Sequence, residues 1–222
     1  MEHAVIGREG VLMTIEGGKA HKATEAALQQ EKSTDMEAAL EDRRGAGEKI
    51  YTVADIEALP DGERAELIDG EMFVMATPTL THQEILGELY LRIKLYVKEN
   101  KGKCRVFFAP FAVYIKDDER NYVEPDIAVI CDPDKLDEKG CHGAPDWVIE
   151  IVSVSSRHMD YVTKLALYEA SGVREYWLVD PQRRSVAVYN FERKEEPEQY
   201  SFSEKIKAGI YDDFYIDFSE LR

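Results

Sequence analysis

Residues 147–152 read Trp-Val-Ile-Glu-Ile-Val, a strand-forming apolar run interrupted by one carboxylate, Glu150. Such a run reads as a buried strand. Ionising a lone buried carboxylate is expensive, so Glu150 requires a cation, a hydrogen-bond donor or a shifted pKa. Each of those solutions constrains what the chain can do.

A second acid has a similar setting. In "NYVEPDIAVI" Asp126 follows Pro125 at the start of another apolar strand, a position where the missing proline N–H costs no ladder bond. If the two strands are neighbours, Asp126 and Glu150 can project from one face and share a divalent cation. Oxygen-only donors with open positions select Mg²⁺ or Mn²⁺ over zinc. Taken singly, Asp126 also reads as a strand-end cap and Glu150 as a salt-bridge partner; taken together they favour a metal. In "MDYVTKLALYEASG", helical spacing sets Lys164 beside Tyr161, Leu165 and Tyr168, on the side that packs on a sheet. Alone, Lys164 also reads as a residue that snorkels outward or pairs with Asp160 four positions before it. Asp, Glu and Lys converging on one cation suit phosphodiester hydrolysis.

The remainder of the chain supplies the frame. Its 222 residues allow one sizeable core with an appendage. Residues 1–47 hold Gly pairs and polar Ala-rich stretches and read as a peripheral extension, with a short capped helix in "STDMEAALEDRRGAG". Residues 48–222 read as the folded domain. "TVADIEAL" opens with a Thr52–Asp55 capping box, and "AELIDGEMFVMA" is a hairpin turning at Asp69-Gly70. "THQEILGELYLRIKLYVKEN" starts at a Thr81–Glu84 capping box and carries an apolar stripe of Ile85, Leu86, Leu89, Ile93, Tyr96 and Val97. "CRVFFAPFAVYI", "EPDIAVIC" and "DWVIEIVS" read as strands. A helix ending at Gly172, the strand "EYWLVD" and its hairpin partner "SVAVYNFE" follow. The order is mixed α/β.

No apolar run reaches the roughly 20 residues that span a bilayer, so no membrane association is expected. Cys104, Cys131 and Cys141 cannot all pair and lie far apart in sequence, which suits reduced thiols and a cytoplasmic protein. A net charge of −16 excludes a general nucleic-acid coat protein. Yet "RIKLYVKENKGKCR" concentrates basic residues and reads either as a solvated helix end or as a phosphate-facing patch containing Lys98, Lys101 and Lys103.

The ordered series "ELIDGE…THQEI…EPDIAVI…DWVIEIVSVSSRHMDYVTKLALYEASGVREYWLVDP" resembles the Uma-two restriction-endonuclease family of the PD-(D/E)XK nuclease superfamily, over about residues 50–218. The resemblance implies a restriction-endonuclease-like core, a mixed β-sheet flanked by helices with additional hairpins, and Mg²⁺-dependent hydrolysis of DNA by a homodimer. Asp126 matches the aspartate of the PD element and Glu150 the second acid. Two residues on, where the superfamily places its lysine, stands Val152; the family supplies the lysine from the next helix, which matches Lys164. Glu66 and His82 also stand at family motif positions. Glu66 reads as a further member of the acidic cluster, a holder of the lysine, or an exposed hairpin glutamate. His82 reads as a phosphate contact, a proton shuttle or a surface residue. A nuclease-like fold that has lost catalysis and acts as a binding module remains the alternative, as does hydrolysis of a smaller nucleotide.

Overall fold

The computed structural model describes residues 5–6, 12–16, 19–22 and 49–221, apart from positions 117 and 195. It divides into two units, Met1–Lys49 and Ile50–Arg222. In the first, β1 (Val5–Ile6), β2 (Leu12–Glu16) and β3 (Lys19–Lys22) pair antiparallel. The helix expected in residues 33–47 lies outside the described residues.

The second unit begins with α1 (Val53–Glu57), where the Thr52 N–H donates to Asp55 Oδ2 at 2.9 Å in the expected capping box. Strands β4 (Ala65–Ile68) and β5 (Glu71–Val74) pair antiparallel around Asp69 and Gly70. These two residues have φ of 50° and 89°. A tight two-residue turn of this kind needs positive φ at both central positions.

Helix α2 (Leu80–Glu99) buries Ile85, Leu86, Leu89, Ile93 and Val97, the expected stripe, with Tyr96 half-buried beside it. Its start corrects the expected cap. Thr79, not Thr81, is the N-cap, and its hydroxyl accepts the His82 N–H at 3.3 Å. The single strand expected over "CRVFFAPFAVYI" is also corrected. It breaks at a cis Ala109–Pro110 peptide into β6 (Arg105–Phe108) and β7 (Val113–Tyr114), which belong to different sheets. Proline cannot donate to a ladder, so pairing ends there.

The central sheet has the order β13-β12-β11-β10-β8-β6. It comprises β6, β8 (Ile127–Ile130), β10 (Trp147–Ile151), β11 (Glu175–Asp180), β12 (Ser185–Asn190) and β13 (Glu198–Ser201). The β10–β11 pair is parallel and the others antiparallel. Parallel neighbours need a crossover. Here it is a helix that is π-helical over Met159–Lys164 and continues as α3 (Leu165–Ser171), ending at Gly172 with φ 90°. Three short strands complete the unit: β9 (Cys141–His142) pairs with β7, and β14 (Lys205–Lys207) pairs with β15 (Tyr215–Asp217).

Strand β10 faces two cores. Trp147, Ile149 and Ile151 pack with the α2 stripe and Trp177, whereas Val148 and Val152 pack with Leu167, Tyr168, Tyr176 and Leu178 on the other face. Glu150 shares the parity of the second set.

The cysteines depart from expectation. Cys104 and Cys131 form a disulfide, leaving the buried Cys141 as the free thiol. Far apart in sequence, they are brought together by the antiparallel β6–β8 register, in which Arg105 faces Ile130 and the next positions outward are the two cysteines.

Candidate functional site

The β8–β10 pairing sets Ile127 opposite Ile149, so one step along the same register sets Asp126 opposite Glu150. Two hydrogen bonds lock the acids together. The Asp126 N–H points at Glu150 Oε2 at 3.3 Å, and the Ile151 N–H donates to Asp126 Oδ2 at 2.7 Å. Pairing across an antiparallel ladder puts both carboxylates on one face.

Lys164 reaches the same point from the π-helical turn. Its Nζ lies 2.9 Å from Glu150 Oε1 and 2.8 Å from Glu66 Oε2, with all three side chains buried. The Tyr168 hydroxyl donates to the same Glu150 oxygen at 2.8 Å. Glu66, on β4, is fixed by its other oxygen, which accepts the Glu124 N–H at 3.0 Å. It is a buried partner of the lysine, not an exposed hairpin residue. Glu124 in turn accepts from Arg64 and from the Tyr122 hydroxyl.

Two further groups close the cluster. His82, in the first turn of α2, brings Nε2 within 3.1 Å of Asp126 Oδ2. It therefore touches a site carboxylate directly instead of lying on open surface. Asp160 is buried as well, four residues before Lys164, with the Ser156 side chain as its hydrogen-bond partner.

The electrostatics follow from this crowding. Burial pushes the Glu150 carboxyl up; the positive charge of Lys164 opposes the rise, while Asp126, Asp160 and Glu66 add to it. Burial likewise raises Asp160, to about 6, against the pull of Lys164. Desolvation alone lowers the pKa of a lysine, but Glu150, Glu66 and Asp160 outweigh it and hold Lys164 well above its ordinary value, fully charged. Three buried carboxylates thus face one lysine, with the half-buried Asp126 beside Glu150, an excess of acidic groups over cations.

That excess, with donors that are all oxygen, fits a hard divalent cation. Mg²⁺ commonly takes one or two carboxylates and completes its shell with water and phosphate oxygens. Asp126 and Glu150 are the two carboxylates that the β8–β10 register pairs. Among the described residues no group of three or more His, Cys, Asp or Glu side chains is arranged so that it could hold a metal ion.

Sequence reasoning missed two members. By sequence Asp160 reads only as an ion-pair partner of Lys164 on the helix and Tyr168 only as packing. The visible signal was Asp160, Lys164 and Tyr168 recurring every fourth residue. The basic stretch lies elsewhere. Lys98, Lys101 and Lys103 are exposed at the far end of α2, about 24 Å along the helix from His82 to Lys98 at 1.5 Å per residue.

Comparison with known proteins agrees with this architecture. A crystal structure of "a putative nuclease belonging to DUF820 from Anabaena variabilis ATCC 29413" superposes with a TM-score of 0.64 at 22% identity. The alignment covers 77% of this chain and 96% of that one. At that identity the likeness speaks for the fold, a restriction-endonuclease-like mixed sheet flanked by helices. No curated protein matches the sequence. The Uma2 family model, described as "Putative restriction endonuclease", matches residues 53–209, and the chain belongs to that family.

Proposed function

We propose that the protein is an endonuclease that hydrolyses DNA phosphodiester bonds with Mg²⁺, for which Mn²⁺ can substitute. The observation that carries this reading is the buried Lys164 shared by Glu66 and Glu150, beside the paired Asp126. Family membership and the nuclease fold support it.

Asp126 and Glu150 would hold the cation. When bound, the cation polarises the phosphate and lowers the pKa of a bound water. Lys164 supplies a fixed positive charge to a phosphate that gains negative charge during attack, in a setting poor in competing solvent. Glu66 and Tyr168 position that charge, Glu66 by anchoring Nζ and Tyr168 by occupying the Glu150 oxygen the lysine shares. His82 orients Asp126 through its Nε2 contact. Lys98, Lys101 and Lys103 contact phosphates on the flank of the duplex, away from the scissile bond. Among the described residues no helix is long and apolar enough to cross a membrane.

Incubation with plasmid, linear and single-stranded DNA in Mg²⁺, Mn²⁺ or chelator tests the proposal. Cleavage is expected with metal and not with chelator. Glu150→Gln should lower it by at least ~10²-fold, the scale of lost electrostatic or metal assistance. A parent protein that cleaves none of these substrates supports the binding-module alternative. A parent that cleaves equally well after Glu150→Gln refutes the site.

A further inference from the structure

The hydrogen-bond chain through the carboxylate cluster does not stop at Glu66. Glu66 Oε1 accepts the Glu124 N–H, and the buried Glu124 carboxylate reaches on to Arg64. Arg64 stands two residues before Glu66 and Glu124 two before Asp126, so the pair borders two of the site's acids. Unlike those acids it opens outward, with the Arg64 side chain 33% exposed.

The way the guanidinium is held decides what it can bind. Nε and Nη2 both donate to Glu124 Oε2, Nε at 2.7 Å, while Oε1 accepts the Tyr122 hydroxyl at 2.7 Å. Two of the five N–H groups of the guanidinium are used in this way. Nη1 has no hydrogen-bond partner among the described residues and is not buried. The edge facing away from Glu124 therefore presents one Nη1 and one Nη2 N–H side by side. That planar fork matches two oxygens of a phosphate.

Packing alone gives the pair no purpose. Replacing a buried ion pair by apolar side chains is often neutral or stabilising, so an acid kept out of water at this position needs another reason. Holding the guanidinium in one orientation supplies it, because a preorganised side chain loses less freedom when it binds. The site also lacks a cation to spare. Lys164 is already shared by Glu66 and Glu150, in a chain of net charge −16. Arg157 is likewise held by a buried acid, Asp180, but its second donor goes to Gln182, and neither partner belongs to the bonds that reach the cluster.

We propose that Arg64 binds the DNA backbone at a phosphate next to the scissile one, with Glu124 as the residue that positions it. The proposal rests on the nuclease reading of the site. Such a contact fixes the strand over the carboxylates and is blind to base sequence.

Binding of labelled DNA over a range of salt concentrations tests this, with Ca²⁺ in place of Mg²⁺ as a hard cation for the carboxylates. The key variant combines Arg64→Gln with Glu124→Gln, which keeps the net charge of the parent and leaves no buried acid unpaired. It should melt close to the parent, yet bind DNA about tenfold more weakly whatever the sequence. Its log–log salt slope should flatten by about one unit. Arg64→Lys keeps the charge and loses the fork, so it should keep the slope and still lose affinity. If Arg64 served only to neutralise Glu124, the double variant would bind with parental affinity and slope, and that result overturns the proposal. A parent that binds no DNA overturns it too, as does parental affinity in Arg64→Lys, the variant that decides if the double exchange fails to fold. Cleavage with Mg²⁺ is read separately. A parent that binds through Arg64 but never cleaves ends the nuclease reading alone; one that cleaves while the double variant binds unchanged ends the Arg64 assignment alone.

Discussion

Two neighbouring strands of the central sheet each bury a glutamate, Glu150 on β10 and Glu175 on β11, on opposite faces. Their exposures are 4% and 0%, so burial does not distinguish them. Their partners do. Glu175 accepts from the Trp177 indole at 2.6 Å and from the Gly209 and Ile210 N–H groups at 2.9 and 2.8 Å. Each donor is neutral and belongs to the fold, so nothing more is needed to hold that carboxylate. Glu150 instead shares Lys164 with Glu66 and lies among Asp126 and Asp160, so carboxyl groups outnumber cations there and its own pKa is pushed up. A buried acid closed off by backbone donors is architecture. One left in surplus is a place for a ligand.

Removing the shared cation should break that contrast most severely. Lys164→Met leaves the carboxylates without a counter-charge, and losing one partner of a buried pair costs about 3–5 kcal/mol, read as lost stability in denaturant unfolding. A loss below about 1 kcal/mol would mean that the surplus charge is already neutralised by protons.

Exchanging the glutamates for their amides should separate the two roles. Glu175→Gln should cost roughly 1–3 kcal/mol, because two backbone N–H groups lose a charged acceptor, while cleavage per folded molecule persists. Glu150→Gln should do the reverse: metal-free stability holds or rises as a repelled charge disappears, and cleavage is lost. Equal melting behaviour of the two variants would erase the distinction.

A smaller effect is a slope with pH. The folded-state pKa of Glu150 is raised from an ordinary 4.5 to about 8, chiefly by burial. The folded protein therefore binds this proton more tightly than the unfolded chain does. The contribution is fully present below pH about 4.5 and is lost as pH rises towards about 8, by at most ~1.4 kcal/mol per pH unit. Metal-free stability measured across that window should fall in the parent and stay flatter in Glu150→Gln. Parallel curves would remove Glu150 as the source.

The frame of this site was legible from local signals. The acids announced themselves as charges inside apolar strands, and a period-two reading of β10 correctly separates Glu150 from Ile149 and Ile151. The α2 stripe followed from helical spacing, and the hairpin from Asp69-Gly70. What escaped was set by tertiary distance. Glu66 reads by sequence as one of three things, a holder of the lysine among them, and the choice depends on the β4–β5 hairpin meeting the π-helical turn across 98 residues of chain, which no window of sequence contains. The Cys104–Cys131 bond escaped for a related reason, since their adjacency exists only in the β6–β8 register. Asp160 escaped because an i,i+4 pair on a helix is ordinarily a surface feature, and here it points inward.

The π-helical turn that carries Asp160 and Lys164 has an evolutionary corollary. A π turn is in effect an α-helix that has gained one residue, and its wider winding brings groups four apart closer to eclipse. Deleting one position, for example the exposed Val162, would regularise the helix and shorten the spacing of Asp160 and Lys164 from four residues to three, changing how the two side chains meet. Lys164 stands fourteen residues after Glu150. Tolerance to insertion and deletion should therefore end abruptly between those two residues, even where tolerance to substitution is broad. A lineage can repaint this segment, but it cannot resize it.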